Sequence, residues 1–228
     1  MELICIAKIH TDIRDKFGLP RQSGRVPQLM GRIVFEPEYR NPDYIRGIEQ
    51  YDQIWVIWGF DQLDDEHNNN PTVRPPKLGG NMRVGVFATR SPFRPNSIGL
   101  SSLKIESVNM DGPDGPEIIV SGIDMADGTP LYDIKPYIPY ADSHPDAKGG
   151  FSSEHAGDKL DVICETDLPK ELSPVQKDAL LGLLADDPRP AYQDDPGRIY
   201  GLSYAGYNIR FKVSDNTLTV FSIEKDEA

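Results

Sequence analysis

The hydrophobic residues of this chain come in short runs broken by turn formers, and that rhythm constrains the fold more than any other feature. Leu3 to Ile9 alternates apolar and β-branched residues, and Gly31 to Phe35 does the same after an irregular stretch from His10. Gln53-Ile-Trp-Val-Ile-Trp-Gly-Phe60 is the most apolar run, and its eight β-branched and aromatic-rich residues suit a central strand with Trp55 and Trp58 in the core. Arg83 to Ala88, Leu100 to Val108, Glu117 to Gly122 and Leu131 to Ile138 read as further strands, separated by Asn109–Pro116 and Asp127-Gly-Thr-Pro130 as turns. Many short strands joined this way predict a barrel. Asn41-Pro42 predicts an N-cap and a short helix through Ile48.

Past Ala141 the periodicity lapses. Ser173-Pro174 then predicts a helix through Ala185, and Tyr207, Ile209, Phe211 and Val213 alternate with Asn208, Arg210 and Lys212 as a strand with one apolar and one basic face. The fold class read from this is mainly β with an α+β C-terminal part. Its expected divisions are a barrel domain over 1–142, a linker or excursion over 143–170, and a small αβ module over 171–228.

Charge is distributed unevenly. The chain carries −12 overall, yet between His67 and Ile105 lie Arg74, Lys77, Arg83, Arg90, Arg94 and Lys104 with no Asp or Glu, a local +6. Within that stretch, Pro92 and Pro95 restrict Ser91 and Arg94 as well as themselves, so the loop from Thr89 to Gly99 is stiff. Guanidinium groups on a stiff loop can meet carboxylate or phosphate in bidentate fashion or stack on rings. The residues alone equally allow a Pro-stiffened hairpin with solvated charges. A net charge of −12 argues against indiscriminate nucleic-acid binding and leaves room for one selective RNA partner, bound in a salt-sensitive way.

Several function classes find no support. The sequence has no GxGxxG, no GxxxxGK[ST], no GxSxG and no HExxH. Cys5 and Cys164 lie far apart, form no CxxC pair and are expected to be buried and reduced, not bridged or metal-bound. Asp64-Asp65-Glu66-His67 has no second ligand set at metal-like spacing, so no metal is expected. No apolar run approaches the roughly 20 residues of a membrane span, and MELICIAKIH lacks a signal-peptide pattern, so no membrane association and a cytoplasmic location are expected.

The run GVFATRSPFRPNSIGLS, preceded by RPPKLGGN and followed by DGTPLYDIKPYIPYAD, resembles the TsaA-like family of tRNA adenosine N6-methyltransferases. The match covers roughly Glu2 to Asp142, with weaker similarity from Asp187 onward. The resemblance implies a small β-barrel methyltransferase that binds S-adenosylmethionine without a Rossmann fold. It implies cofactor contacts from Pro20, Arg21, Gln22, Asp61, Gln62, Arg90, Leu100 and Asp127, Gly128, Thr129 and Pro130. Asp61 stands where the family usually carries His, and Ser97 where it commonly has Pro. The implied acceptor is N6 of threonylcarbamoyladenosine beside the anticodon, with a threonine-type tRNA as partner and a homodimer as the default assembly.

Methyl transfer from a sulfonium needs mainly a nucleophile held in line at near-attack distance. The urea-like N6 must also lose a proton, and Asp133 is the candidate acceptor, with pairing to Lys135 as its structural alternative. Arg83 and Arg94 are assigned to the tRNA backbone or the substrate carboxylate, with Lys135, Arg189 and Arg210 completing the expected RNA-binding set. A barrel that keeps the pocket without turnover, binding RNA or a small ligand, is the alternative.

Overall fold

A computed structural model describes residues 2–60, 70–75, 82–155, 157–189 and 195–226. Six strands close into a barrel: β1 (Ala7–Thr11), β2 (Met30–Phe35), β3 (Gln53–Gly59), β6 (Ile98–Gly112), β7 (Gly115–Ser121) and β8 (Pro130–Pro136). Their order around the barrel is β1-β2-β7-β6-β3-β8, and all six pairings are antiparallel. Closure follows from the period-two pattern. In β2, Gly31, Ile33 and Phe35 point inward; in β3, Ile54, Val56 and Trp58 do so. Ile9, Ile33, Ile54, Val56, Leu103, Ile118, Val120 and Leu131 are fully buried, so the interior is a packed core.

Two glycines set how tightly it packs. A Cβ on Gly99 would lie 2.1 Å from Trp58 Cε2, because the indole of Trp58 lies across its cross-strand partner. A Cβ on Gly31 would lie 2.9 Å from Ile9 Cδ1. A two-stranded ribbon, β4 (Thr72–Val73) and β5 (Val84–Gly85), precedes the stiff loop.

A second sheet has the order β10 (Tyr200–Tyr204), β11 (Tyr207–Ser214), β12 (Thr217–Lys225) and β9 (Asp161–Cys164), the last parallel to β12. The hairpin turns carry Ala205 (φ 50°) with Gly206 (φ 79°), and Asp215 (φ 51°), the left-handed conformations that tight hairpins require. Of the two α-helices among the described residues, α1 (Pro139–Asp142) is one turn long. The longer α2 (Pro174–Ala185) starts on a capping box between Ser173 and Gln176 and buries Ala179, Leu180, Leu183 and Leu184.

The two sheets share a core through the irregular segment between β1 and β2. Phe17 stacks on Tyr200 at 6.5 Å, and Gly182 of α2 is small where Val26 presses in. Ala205 N donates to Asp12 O (2.9 Å), and Gln176 Nε2 donates to Asp12 Oδ2 (2.9 Å). The segment reads as a loop in sequence, yet it is the layer that joins both halves.

Several local expectations change. Strand β1 begins at Ala7, leaving Leu3 and Ile4 exposed. The helix expected over 41–48 is instead two 3-10 turns, Pro42–Tyr44 and Ile48–Gln50, separated by Gly47 at φ 90°, which a continuing helix cannot accommodate. Asn41 does cap the first, its Oδ1 accepting from Asp43 N. The strand expected over 83–88 stops at Gly85, and Val86–Ala88 curls into a 3-10 turn closed by Thr89 N donating to Val86 O (3.1 Å). Strand β9 falls inside the stretch expected as linker, held there by pairing with β12. Its last residue, Cys164, is exposed and Cys5 is only half-buried, so neither cysteine is buried as expected.

Candidate functional site

Three segments far apart in sequence meet on one rim of the barrel. Arg90 donates from Nη1 to Gln22 Oε1, joining the stiff loop to the 20–24 segment. Arg21 Nη2 donates to Arg189 O (3.1 Å), which ties the same segment to the C-terminal half. The 20–24 segment is fixed from below by Gly24 N donating to Gly122 O (2.8 Å).

The stiff loop is stapled mostly to itself. Thr89 Oγ1 donates to Val86 O (2.8 Å) and accepts from Ser91 N (3.2 Å). Ser91 Oγ accepts from Phe93 N (3.3 Å), and Arg94 Nη1 donates to Thr89 O (3.4 Å). Such side-chain to backbone bonds are the usual way Ser and Thr order a turn. The outcome is a rigid frame that leaves Arg90 and Leu100 exposed. Phe87, three residues before Arg90 in the chain, is 79% exposed, an aromatic side chain among Arg residues in sequence that the sequence reading missed. Arg83 Nη1 donates to Thr72 Oγ1 (3.4 Å) across the β4–β5 ribbon.

The 127–130 turn is shaped by the backbone. Asp127 Oδ1 accepts from Thr11 N (3.0 Å) and stands 3.2 Å from His10 Nδ1. Gly128, at φ 80°, donates to Ile9 O (2.8 Å), and the buried Thr129 hydroxyl donates to Ala126 O (2.8 Å). With those polar groups engaged, a ligand at this turn would meet mainly backbone and the free face of Pro130.

A fourth residue lies where these segments converge. Asp124 is half-buried just before that turn. Trp58 Nε1 donates to Ser101 Oγ (2.9 Å), and Ser101 Oγ donates to Asp124 Oδ1 (2.6 Å). Burial pushes its carboxyl up to about 6, against the opposing pull of Ser101, the Ser23 N–H, its own N–H and the Arg90 guanidinium. A carboxylate flanked by the apolar Ile123 and Met125 was the sequence signal for it.

The remaining predicted residues divide clearly. Asp133 pairs with Lys135 Nζ (2.7 Å) and accepts from Ile134 N (2.9 Å), the arrangement of the structural alternative, although both side chains keep substantial exposure. Arg189 is 11% exposed and holds Asp187 through two hydrogen bonds (2.9 and 3.0 Å), so its guanidinium is directed inward. Arg210 lies on the outer face of β11. Asp61, Gln62, Lys77 and the acidic run 64–67 lie outside the described residues. Among the described residues no group of His, Cys, Asp and Glu could hold a metal, and no helix is long and apolar enough to cross a membrane.

Two concavities flank the barrel. One of about 350 Å3 is lined by residues including Tyr44, Gly47, Ile134 and Pro136, and one of about 280 Å3 by residues including His10, Asp12, Gly31 and Arg32. Gln22, Arg90, Leu100 and Asp124 line neither of these two concavities.

Residues 8–143 match the model of the tRNA-methyltransferase O N-terminal domain, and residues 159–226 match that of the TrmO C-terminal domain. The chain is 37% identical to the tRNA (adenine(37)-N6)-methyltransferase of Escherichia coli (strain K12) over 227 residues, 96% of each chain. It is 41% identical to the enzyme of that name from Eikenella corrodens over 164 residues, 72% of this chain and 91% of that one. A crystal structure of TrmO from Pseudomonas aeruginosa superposes with a TM-score of 0.78 at 28% identity, covering 99% of this chain and 97% of that one. The closed barrel, its basic rim and the appended αβ sheet define a small non-Rossmann class. Within it, this chain belongs to the tRNA-methyltransferase O family.

Proposed function

We propose that this chain is an S-adenosylmethionine-dependent tRNA methyltransferase acting on N6 of the adenosine at position 37, next to the anticodon, once that base carries a threonylcarbamoyl group. The observation that carries the reading is 37% identity over 96% of both chains to an enzyme named for methylation at adenine 37. The rim is consistent with it, because the Arg90 contact to Gln22 brings together two segments that the motifs assign to the cofactor.

The residues present fit such a group. S-adenosylmethionine joins an adenosyl part to a zwitterionic amino-acid end, and the rim offers a guanidinium, a half-buried carboxylate and a backbone turn. When bound, it supplies an activated methyl on a cationic sulfur. Arg90 holds the cofactor carboxylate, and the 20–22 and 127–130 segments hold the adenosyl part and keep out water. The stiff loop fixes the direction of approach, the main source of acceleration in an in-line displacement. Arg94 and Arg83 meet tRNA phosphate or the threonyl carboxylate, and exposed Phe87 offers a ring for a splayed base. Asp133 accepts the N6 proton after its exposed Lys135 pair opens, which at such a surface costs on the order of 1 kcal/mol.

A threonine-type tRNA, a C2 homodimer and a cytoplasmic setting belong to the same reading. Labelled methyl incorporation into threonine tRNA with and without the threonylcarbamoyl group tests it. The reading predicts label only in the modified tRNA. Equal label in both would place the acceptor elsewhere.

A further inference from the structure

Asp124 and Arg90 carry opposite charges, and among the described residues neither is held in an ion pair. Among the described residues Asp124 forms no ion pair; its contacts are the Ser101 hydroxyl and backbone N–H groups. Arg90 donates to a neutral amide, that of Gln22, and likewise forms no ion pair there. The two are close enough for the guanidinium to act on the carboxylate, yet they do not touch. A half-buried carboxylate satisfied only by neutral donors is costly compared with an amide of the same shape. Its rigid support runs from the core outward through Trp58 and Ser101, so its position is fixed before any ligand arrives.

A separated pair of this kind matches a free α-amino acid, which presents ammonium and carboxylate a few bonds apart. We propose that Asp124 and Arg90 form a clamp for the methionyl end of the cofactor, the carboxylate of Asp124 receiving the α-ammonium while Arg90 receives the carboxylate. The assignment rests on the cofactor reading above and adds a residue to it. Asp124 holds the ammonium and sets how far the methionyl chain reaches, which places the sulfonium relative to the incoming base. Ser101 and Trp58 are positioning residues that act through Asp124.

Calorimetric titration at pH 8 of wild type and Asp124→Asn tests the clamp with three ligands: S-adenosylmethionine, S-adenosylhomocysteine and methylthioadenosine. The first two carry the amino-acid end, and the third lacks it. Asp124→Asn is expected to weaken the first two alike, by about 10- to 100-fold, and to leave the third unchanged. Its melting temperature without ligand should equal or exceed that of wild type, since the amide keeps the shape and removes a buried charge. Loss confined to S-adenosylmethionine would assign Asp124 to the sulfonium and overturn the clamp. Equal weakening of all three ligands with a lowered melting temperature would show a structural role and also overturn it.

Wild type provides a second test that needs no variant. Its affinity for S-adenosylhomocysteine should fall as pH drops through about 6, where Asp124 protonates, while that for methylthioadenosine stays level. Level binding of both would contradict the clamp. Folded wild type that binds none of the three ligands would instead defeat the cofactor reading itself and remove the premise of the clamp.

Discussion

Two carboxylates drawn into the interior, Asp186 and Asp124, are supported in opposite ways. Asp186 caps the C-terminal end of α2 with its side chain 5% exposed, and it receives Arg25 Nε at 2.7 Å and Lys159 Nζ at 3.0 Å. An acid at a helix C-terminus is poorly placed against the helix dipole, so the two cations are what make the position tolerable. Arg25 and Lys159 come from either side of the seam between barrel and C-terminal sheet. This acid therefore joins the two halves. Among the described residues Asp124 has only neutral hydrogen-bond donors, with the Arg90 guanidinium a short distance off and not in contact. A paired buried acid is a structural joint, and an unpaired one on a rim is capacity held for a ligand.

The largest effect should come at the rim. Arg90→Ala removes the guanidinium that bonds Gln22, and kcat/KM should fall more than about 100-fold, in line with loss of a charge-assisted contact to the cofactor. Steady-state kinetics with an unchanged melting temperature would confirm that the loss is functional. Asp186→Ala should do the reverse. It leaves two cations facing a void, and stability should fall by about 2–3 kcal/mol, somewhat below the range for fully buried pairs because Lys159 is 43% exposed. Denaturant titration reads this directly. If Asp186→Ala cost nothing, the contrast between the two acids would fail.

A comparable loss is expected inside the barrel. Gly99→Val should push the Trp58 indole off its partner strand, costing about 1–3 kcal/mol by overpacking and shifting the tryptophan emission.

Asp124 gives the comparison its sign. Its carboxyl is raised in the fold to about 6 from an ordinary 3.8, so the folded state holds the proton more tightly. The associated stabilisation is fully present below the unfolded value and is lost as pH rises through about 6. Asp124→Asn should therefore be more stable than wild type above pH 6, by on the order of 1–2 kcal/mol after allowing for its partial exposure. Below about pH 4 the gain should vanish. Thermal melts across pH 4–8 check both limbs, and a variant less stable than wild type at pH 8 would make Asp124 a structural joint like Asp186.

The smallest effect is at the surface. Phe87→Ala should leave stability within about 0.5 kcal/mol and weaken tRNA binding by about 1–3 kcal/mol, the usual worth of a base stacked on an aromatic ring. Cofactor affinity should not change.

The barrel was legible in the sequence because short alternating runs such as Gln53–Phe60 have few other ways to bury one face. The helix α2 was legible for a similar local reason, its Ser173-Pro174 start. What sequence could not display was contact at a distance. The segment 12–29 has no periodicity of its own, and its role as a shared layer depends on Phe17 meeting Tyr200 and Val26 meeting Gly182. At the rim, the motifs drew attention to Arg90 and Gln22, and their contact is now visible. Asp124 lay outside those motifs; its apolar neighbours Ile123 and Met125 hint at burial, but its meaning comes from Ser101 and from having no ion pair among the described residues, which spacing does not display. Arg189 was attractive as a basic residue, and only the fold reveals that Asp187 already holds it.

Nucleoside mass spectrometry tests the central claim most directly, using threonine tRNA that already carries the threonylcarbamoyl group, incubated with the protein and S-adenosylmethionine. The account predicts one added methyl, located on the modified adenosine. Cofactor binding with no methyl added would contradict it and leave the barrel as a binding module.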